Sequence, residues 1–297
     1  GLENDPSLEN AVDVANGFAS ITNVGLKKMV SSEIDRNFSM AINASNAFGV
    51  RIYEALQLLL RAEKDSGKSF AVKYHLSVPY FLPREKLIHD DKMIEQLFFY
   101  GDKDGRSSFD HFVNLYKHDK RWRIIKNEQW IEIKSIQGKR ISIFANIPFD
   151  NTDGGDRDAA AQATLNAYLK EQGLTPAVVV HRGHSYHLPS TLAQLNENAK
   201  LVILGSCGSY QSLHSVLAVC EDVQIISSRE VGSLSVNDPL IRSINEQIRI
   251  GKNIDWIRTW KNLEAQMKLA NTRQRFDNYV APHKNLGVLL LQALNNN

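Results

Sequence analysis

Cysteine is scarce in this chain: Cys207 and Cys220 are the only two in 297 residues. That is too few for a disulfide framework at this length, and no bridge between them is expected. Long apolar runs are missing too. The longest, Val288-Leu289-Leu290-Leu291, falls far short of a bilayer span, so no membrane-crossing segment is predicted. Charge of one sign is also lacking, since 35 basic and 33 acidic residues leave a formal +2. Such a balance gives no footing for a polyanion, and nucleic acid is not indicated as a partner. There is no internal repeat or low-complexity tract. What is present is a globular composition, 43% hydrophobic, enough to bury one large or two modest cores. The chain begins with Gly1 rather than methionine, which points to a trimmed N-terminus or a fragment of something longer, from which a signal or lipidation segment could have been removed. Localisation therefore stays open between secreted, periplasmic and cytoplasmic. Oligomeric state is not legible.

Residues 1–67 read as an α-helical region. Apolar positions recur at helical spacing, with Val30, Ile34 and Phe38 on one stripe and Ile52, Leu56 and Leu59 on another, and Gly67 is a plausible stop. Residues 68–297 read as an α/β domain. From Phe70 to Val78 the pattern alternates, which predicts an edge strand closed by Pro79 and Pro83, with His75 as a cross-strand side chain. The run Gln96–Tyr100 precedes an acidic turn, Gly101-Asp102-Lys103-Asp104-Gly105, and a helix carrying Phe109, Phe112, Val113 and Tyr116. The turn resembles the front of a calcium loop, but its twelfth position falls at or beside Leu115 and supplies no acidic ligand. A three-strand meander follows over Arg121–Ile125, Trp130–Lys134 and Arg140–Ala145. The loop 150–156 then caps a helix from Asp158 to Leu169.

From there strand and helix alternate. Strands are predicted at Ala177–Val180, Leu201–Leu204 and Val223–Ile226, with helices at Ser190–Asn198 and Tyr210–Val219. A further helix is predicted to start at Asp238-Pro239, followed by one carrying Trp256, Trp260, Leu263 and Met267 and an apolar one from Asn285 onward. Crossovers of this length imply a mostly parallel sheet with helices on both faces. Two stretches stand out, Val178-Val179-Val180-His181-Arg182-Gly183-His184-Ser185 and Leu201-Val202-Ile203-Leu204-Gly205-Ser206-Cys207-Gly208. Each is a buried strand that stops at small and reactive residues, where open parallel sheets bind ligands. An imidazole beside a thiol, with a helix N-terminus after it, makes a nucleophile. Cys207 and His184 are thus the candidate catalytic pair, with backbone amides near both as candidate oxyanion donors.

These residues resemble the caspase-like (clan CD) cysteine peptidases, nearest the separase/CHAT, clostripain and gingipain branches. Gly183-His184-Ser185 is similar to the Gly-His-Gly of the separase and CHAT branch, with Ser185 at the second glycine. Leu201–Cys207 is similar to its cysteine block, and Ile226–Asp238 to the strand and loop that follow. The resemblance covers roughly Arg140 to Ile250. It implies a caspase-like α/β fold and an endopeptidase acting on a protein or peptide without a cofactor. In it Cys207 would be the nucleophile and His184 the general base or acid, with Gly183, Ser185, Gly208 and His181 supporting. Acidic Asp153, Asp156 and Asp238 would suit a basic side chain at the cleavage site, and Arg229 an acidic one.

Other readings of the same residues stand beside this one. Gly205-Ser206-Cys207-Gly208-Ser209 nearly fits the nucleophile elbow of α/β hydrolases and amidotransferase-like domains, whose histidine would be His214 or His283. His181, His184 and His187, spaced by three and near Cys207, raise zinc as an alternative, but across a strand end that spacing does not align the rings, and no metal is expected. A catalytically inactive protein-binding module would keep the same outline without turnover.

Overall fold

The helical spacing of the first sixty residues is realised as α1 (Glu9–Ser20), α2 (Val24–Asn43) and α3 (Ala47–Arg61). The structure is a computed structural model that describes residues 1–5, 8–61, 67–150 and 156–295. Asn23 caps α2, its side-chain oxygen accepting from the Leu26 amide at 3.0 Å, which satisfies one orphan donor of the first turn. Ile52, Leu56 and Leu59 are fully buried on α3. The C-terminal helix Leu286–Asn295 is apolar nearly all round and buried along its length, the pattern of a helix inside a core. The chain forms two compact units. These helices belong to the first, which takes Gly1–Pro79, Gln211–Glu221 and Pro282–Asn297; the second takes Tyr80–Tyr210 and Asp222–Ala281.

One predicted strand is absent. Where alternation suggested an edge strand at 70–78, the chain forms α4 (Lys68–Lys73). Phe70 and Ala71 are both buried while Val72 is exposed, so burial does not follow a two-residue period. His75 is not a cross-strand side chain but the left-handed residue that ends the helix, with φ 54°. The Leu76 amide donates to the Ala71 carbonyl and the His75 amide to Val72, which closes a Schellman motif. Such a local closure leaves no trace in hydrophobic periodicity.

In the second unit, short strands β1 (Phe81–Leu82) and β2 (Ile88–His89) precede β3 (Lys92–Phe99). The helix α5 (Lys103–Lys117) then leads into the predicted meander, β4 (Trp122–Lys126), β5 (Trp130–Ser135) and β6 (Arg140–Asn146). Next come α6 (Arg157–Glu171), β7 (Val178–Arg182), α7 (Leu188–Leu192) and β8 (Leu201–Leu204). After α8 (Leu213–Leu217), a member of the first unit, the chain returns to β9 (Gln224–Ser228), α9 (Leu234–Arg249), β10 (Ile254–Asp255), α10 (Trp256–Leu269) and β11 (Tyr279–Val280). Among the described residues the main sheet runs β11-β9-β8-β7-β3-β6-β5-β4, with β2 beside β3 and a separate β1-β10 pair. Strands β6, β3, β7, β8 and β9 are parallel, and the outer pairs are antiparallel. The fold is therefore α/β with a mostly parallel central sheet. No helix of the described residues is long and apolar enough to cross a membrane.

Helices cover both faces of this sheet. Met93, Leu97 and Phe99 of β3 join Ile141 and Ile143, Val178 and Val180, and residues of α5 and α9 in one cluster, whereas Ile94 and Phe144 pack with Leu165 and Leu169 of α6 in another. Burying each such side chain contributes roughly 1.5–3 kcal/mol. A slip of one residue would turn all of them over, so the register is strongly specified.

Three helix boundaries differ from their prediction. α9 begins at Leu234, ahead of Pro239, which sits inside the helix and removes only the bond that the Ser235 carbonyl would accept. The helix expected from Ser190 shrinks to α7 behind a 3-10 turn at Ser185–His187, and the one expected from Tyr210 becomes a 3-10 turn at Ser209–Ser212 followed by five-residue α8. Pro189 near the start and the stacked serines here favour turns over helix propagation.

The face towards α5 and α9 also buries a carboxyl group. Glu95 is 1% exposed, and burial pushes its carboxyl up to about 8, against the pull of a hydrogen bond from Asn245 and of the Arg182 charge. The native state therefore holds a proton that the unfolded chain releases, so this residue's contribution is full below its ordinary 4.5 and is lost as pH rises through about 8. Glu95→Gln is expected to flatten the decline in unfolding midpoint between those pH values, as read from thermal melts of variant and wild type in parallel.

Candidate functional site

The parallel ladder of β7 and β8 sets His181 opposite Leu204, and the Gly205 amide donates to the His181 carbonyl at 3.1 Å. His184 and Cys207 are each the third residue beyond that matched pair. The two candidate catalytic residues thus leave adjacent parallel strands at equal offset, on the carboxyl edge of the sheet. Both cysteines are thiols; Cys207 is exposed and Cys220 buried.

The cysteine loop is held from several sides. Ser209 Oγ donates to the Leu204 carbonyl at 2.8 Å, Asn237 Nδ2 to Gly205 at 2.9 Å, and Ser228 Oγ to Ser206 at 2.5 Å. Asn237 is fixed in turn by Tyr279, whose hydroxyl donates to its Oδ1 at 2.9 Å and accepts from the Ser233 amide at 2.7 Å. Three successive carbonyls before Cys207 therefore have dedicated donors, which immobilises the backbone that presents the thiol. Gly208 has φ 59°, a left-handed turn that glycine enters without cost. Its amide donates to the Glu230 carbonyl at 2.8 Å, so Gly208 supports the loop and is not an open oxyanion donor. No eight-residue helix starts behind Cys207, and the helix-dipole activation expected for the thiol is not provided by the short turn and α8.

The histidine loop is organised around a buried ring. His181 is fully buried, its Nδ1 2.7 Å from Thr191 Oγ1 and its Nε2 3.2 Å from the His184 carbonyl. Burial, helped by the charges of His187 and Arg182, lowers its pKa to about 4, so the ring is neutral at pH 7. A neutral ring with the proton on Nε2 satisfies both contacts: it donates to His184 and accepts from Thr191. Tyr100, directly after β3, donates to the same Thr191 hydroxyl at 2.7 Å, which leaves the Thr191 proton for His181, and the His187 carbonyl lies 3.2 Å from the phenol oxygen. Its ring stacks on His187 with centroids 4.0 Å apart, and burial pushes its hydroxyl up to about 12. His181 is thus a support for the backbone of His184. Gly183 is required because a Cβ there would enter the Tyr100 ring. Ser185 is exposed at the start of the 3-10 turn.

His184 itself is partly exposed, and its Nε2 faces two carboxylates, Asp104 Oδ2 at 3.4 Å and Asp102 Oδ1 at 3.7 Å. Tyr186 stacks on the His184 ring, with centroids 5.2 Å apart. By sequence alone, Asp102 and Asp104 are only the edges of a turn. The signal that marked them was an Asp-x-Asp directly after an apolar strand, at the carboxyl edge where the histidine also emerges.

The residues considered for substrate recognition scatter. Asp238 is 5% exposed and pairs with buried Arg182 at 2.7 Å; its carboxyl is pushed up by burial, against the pull of Arg182. It balances an internal guanidinium that also takes Ser108 Oγ at 2.7 Å, and it is not presented to a ligand. Asp156 is exposed and caps α6, accepting from the Ala159 amide at 3.0 Å. Arg229 is partly exposed directly after β9, beside the Glu230 carbonyl that holds Gly208. Asp153 lies outside the described residues. Among the described residues no group of three or more His, Cys, Asp and Glu side chains takes up a metal-ligating arrangement, and both nitrogens of His181 are engaged within the protein. His214 and His283, the histidines of the elbow alternative, belong to the first unit.

Comparison with protein-family models, with curated proteins and with solved structures gives no match.

Two variants test this construction. Tyr100 cannot yield to a new methyl, because its ring and hydroxyl are both held, so Gly183→Ala is expected to cost about 1–3 kcal/mol in urea unfolding. For His181, a pKa below the ordinary 6.5 means that the unfolded chain takes up its proton first as pH falls. The native state therefore loses stability between 6.5 and about 4, and His181→Gln is expected to remove that part of the acid slope in melts across the interval.

Proposed function

We propose that this chain is a cysteine endopeptidase of the caspase-like type, with Cys207 as nucleophile and His184 as its acid–base partner. The observation that carries the reading is the matched offset of His184 and Cys207 beyond the His181–Leu204 pair on adjacent parallel strands, with the thiol exposed. Such a pair has the chemistry that acyl transfer needs. The imidazole takes the thiol proton, and the thiolate attacks the substrate carbonyl. The tetrahedral oxyanion requires donors near the nucleophile, and with the Gly208 amide committed to Glu230, the Cys207 amide is the candidate on this loop. Protonated His184 then gives its proton to the leaving amine, and water hydrolyses the thioester. The braced cysteine loop supports the reading further, because a nucleophile held before substrate arrives avoids the entropic cost of ordering it later. Arg229, partly exposed next to this loop, is the candidate for reading a substrate group of opposite charge.

An electrophilic thiol probe, followed by a peptide library, tests the reading. Cys207 is expected to label faster than Cys220, Cys207→Ala to abolish cleavage, and His184→Ala to reduce it by about 10²–10⁴. Cleavage that persists in Cys207→Ala, or a Cys207 no more reactive than Cys220, would overturn the assignment. Loss of reactivity on changing His283 but not His184 would favour the elbow arrangement instead.

A further inference from the structure

We infer that Asp102 and Asp104 are positioning residues for His184, so that three neighbouring strands, β3, β7 and β8, each deliver one member of an Asp–His–Cys relay; the inference rests on the cysteine-peptidase reading. Strand β3 lies next to β7 and β7 next to β8; Asp102, His184 and Cys207 follow their strands within three positions of the end, and Asp104 within five. An imidazole whose Nε2 faces carboxylates carries its proton there and keeps the Nδ1 lone pair for another group. With Asp104 at 3.4 Å and Asp102 at 3.7 Å from Nε2, His184 has Nδ1 left for the thiol proton. Both separations exceed a hydrogen bond and suit a contact that tightens when substrate binds.

The two carboxylates have different roles. Asp102 is fixed: its Oδ1 caps α5 by accepting from the Gly105 amide at 2.8 Å, and its Oδ2 faces His187 Nε2 at 3.1 Å. His187 is itself stacked on Tyr100, so the position of Asp102 is set by a strand end, a helix start and a held ring together. Asp104 is 78% exposed in the first turn of α5, and is free to follow the His184 ring. Asp102 therefore sets the orientation and Asp104 reinforces it.

Asparagine caps helices as well as aspartate does, so Asp102→Asn keeps the start of α5 while removing the charge that faces His184. In the chain of residues 1–297, the rate of Cys207 alkylation by iodoacetamide is expected to fall at least about tenfold in Asp102→Asn and by less in Asp104→Asn. Melting midpoints should stay near wild type, and neither change should have any further effect in a His184→Ala background. Imidazole nitrogen shifts give a second readout: His184 is expected as the Nε2–H tautomer in the wild type and as a mixture in Asp102→Asn,Asp104→Asn. Wild-type alkylation and an unchanged tautomer in that double variant would overturn the inference, as would an equal fall without His184. A Cys207 that alkylates no faster than Cys220 would instead overturn the peptidase reading, while the tautomer still decides what positions His184.

Discussion

The hydrogen-bonded register between β7 and β8 is the constraint on which the candidate site depends. Because His181 stands opposite Leu204, the two chains leave the sheet level with one another, and the residues three places on share an edge. The register is protected by burial on both sides of the sheet. Val178, Val180, Leu201 and Ile203 face one core, and a slip of one residue would exchange them with their neighbours and turn His181 out of its pocket. Stability of the core and alignment of the chemistry are therefore the same requirement.

Around that edge the protein uses polar side chains as scaffolding. Thr191 joins Tyr100 to His181, His181 holds the His184 carbonyl, and Ser209, Asn237 and Ser228 hold the three carbonyls before Cys207. Each of these groups is buried, and a buried polar group is costly unless it is paired. The networks consequently specify one geometry for each loop. The Arg182–Asp238 pair follows the same logic deeper in the fold. Arg182 lies over the rings of both Phe99 and Phe112, with its guanidinium 5.5 and 5.8 Å from their centroids, and Asp238 offsets its charge. That internal role accounts for an acidic residue which, by position in the chain alone, looked available to a substrate.

Several features were legible without coordinates. Apolar runs ending at Gly183-His184 and Gly205-Ser206-Cys207 marked strands that close at a sheet edge, and the meander from Trp122 to Asn146 followed from its alternation and turn residues. Other features were not. The helix at Lys68–Lys73 was hidden because its six residues are too few to show a helical period, while its termination depends on His75 entering the left-handed region. That the Gly208 amide is occupied was not legible either, because the carbonyl that occupies it, Glu230, comes from the far side of the next crossover.

By itself, the sequence determined the periodic elements, the absence of a long apolar helix and the pair of residues worth testing, because periodicity and strand-end chemistry are local properties. The tertiary structure alone decided that β3 enters between β6 and β7, and so brought Tyr100, Asp102 and Asp104 to the histidine loop. Strand order is settled by which faces can be buried together, an interaction among residues far apart in the chain, and no local pattern encodes it.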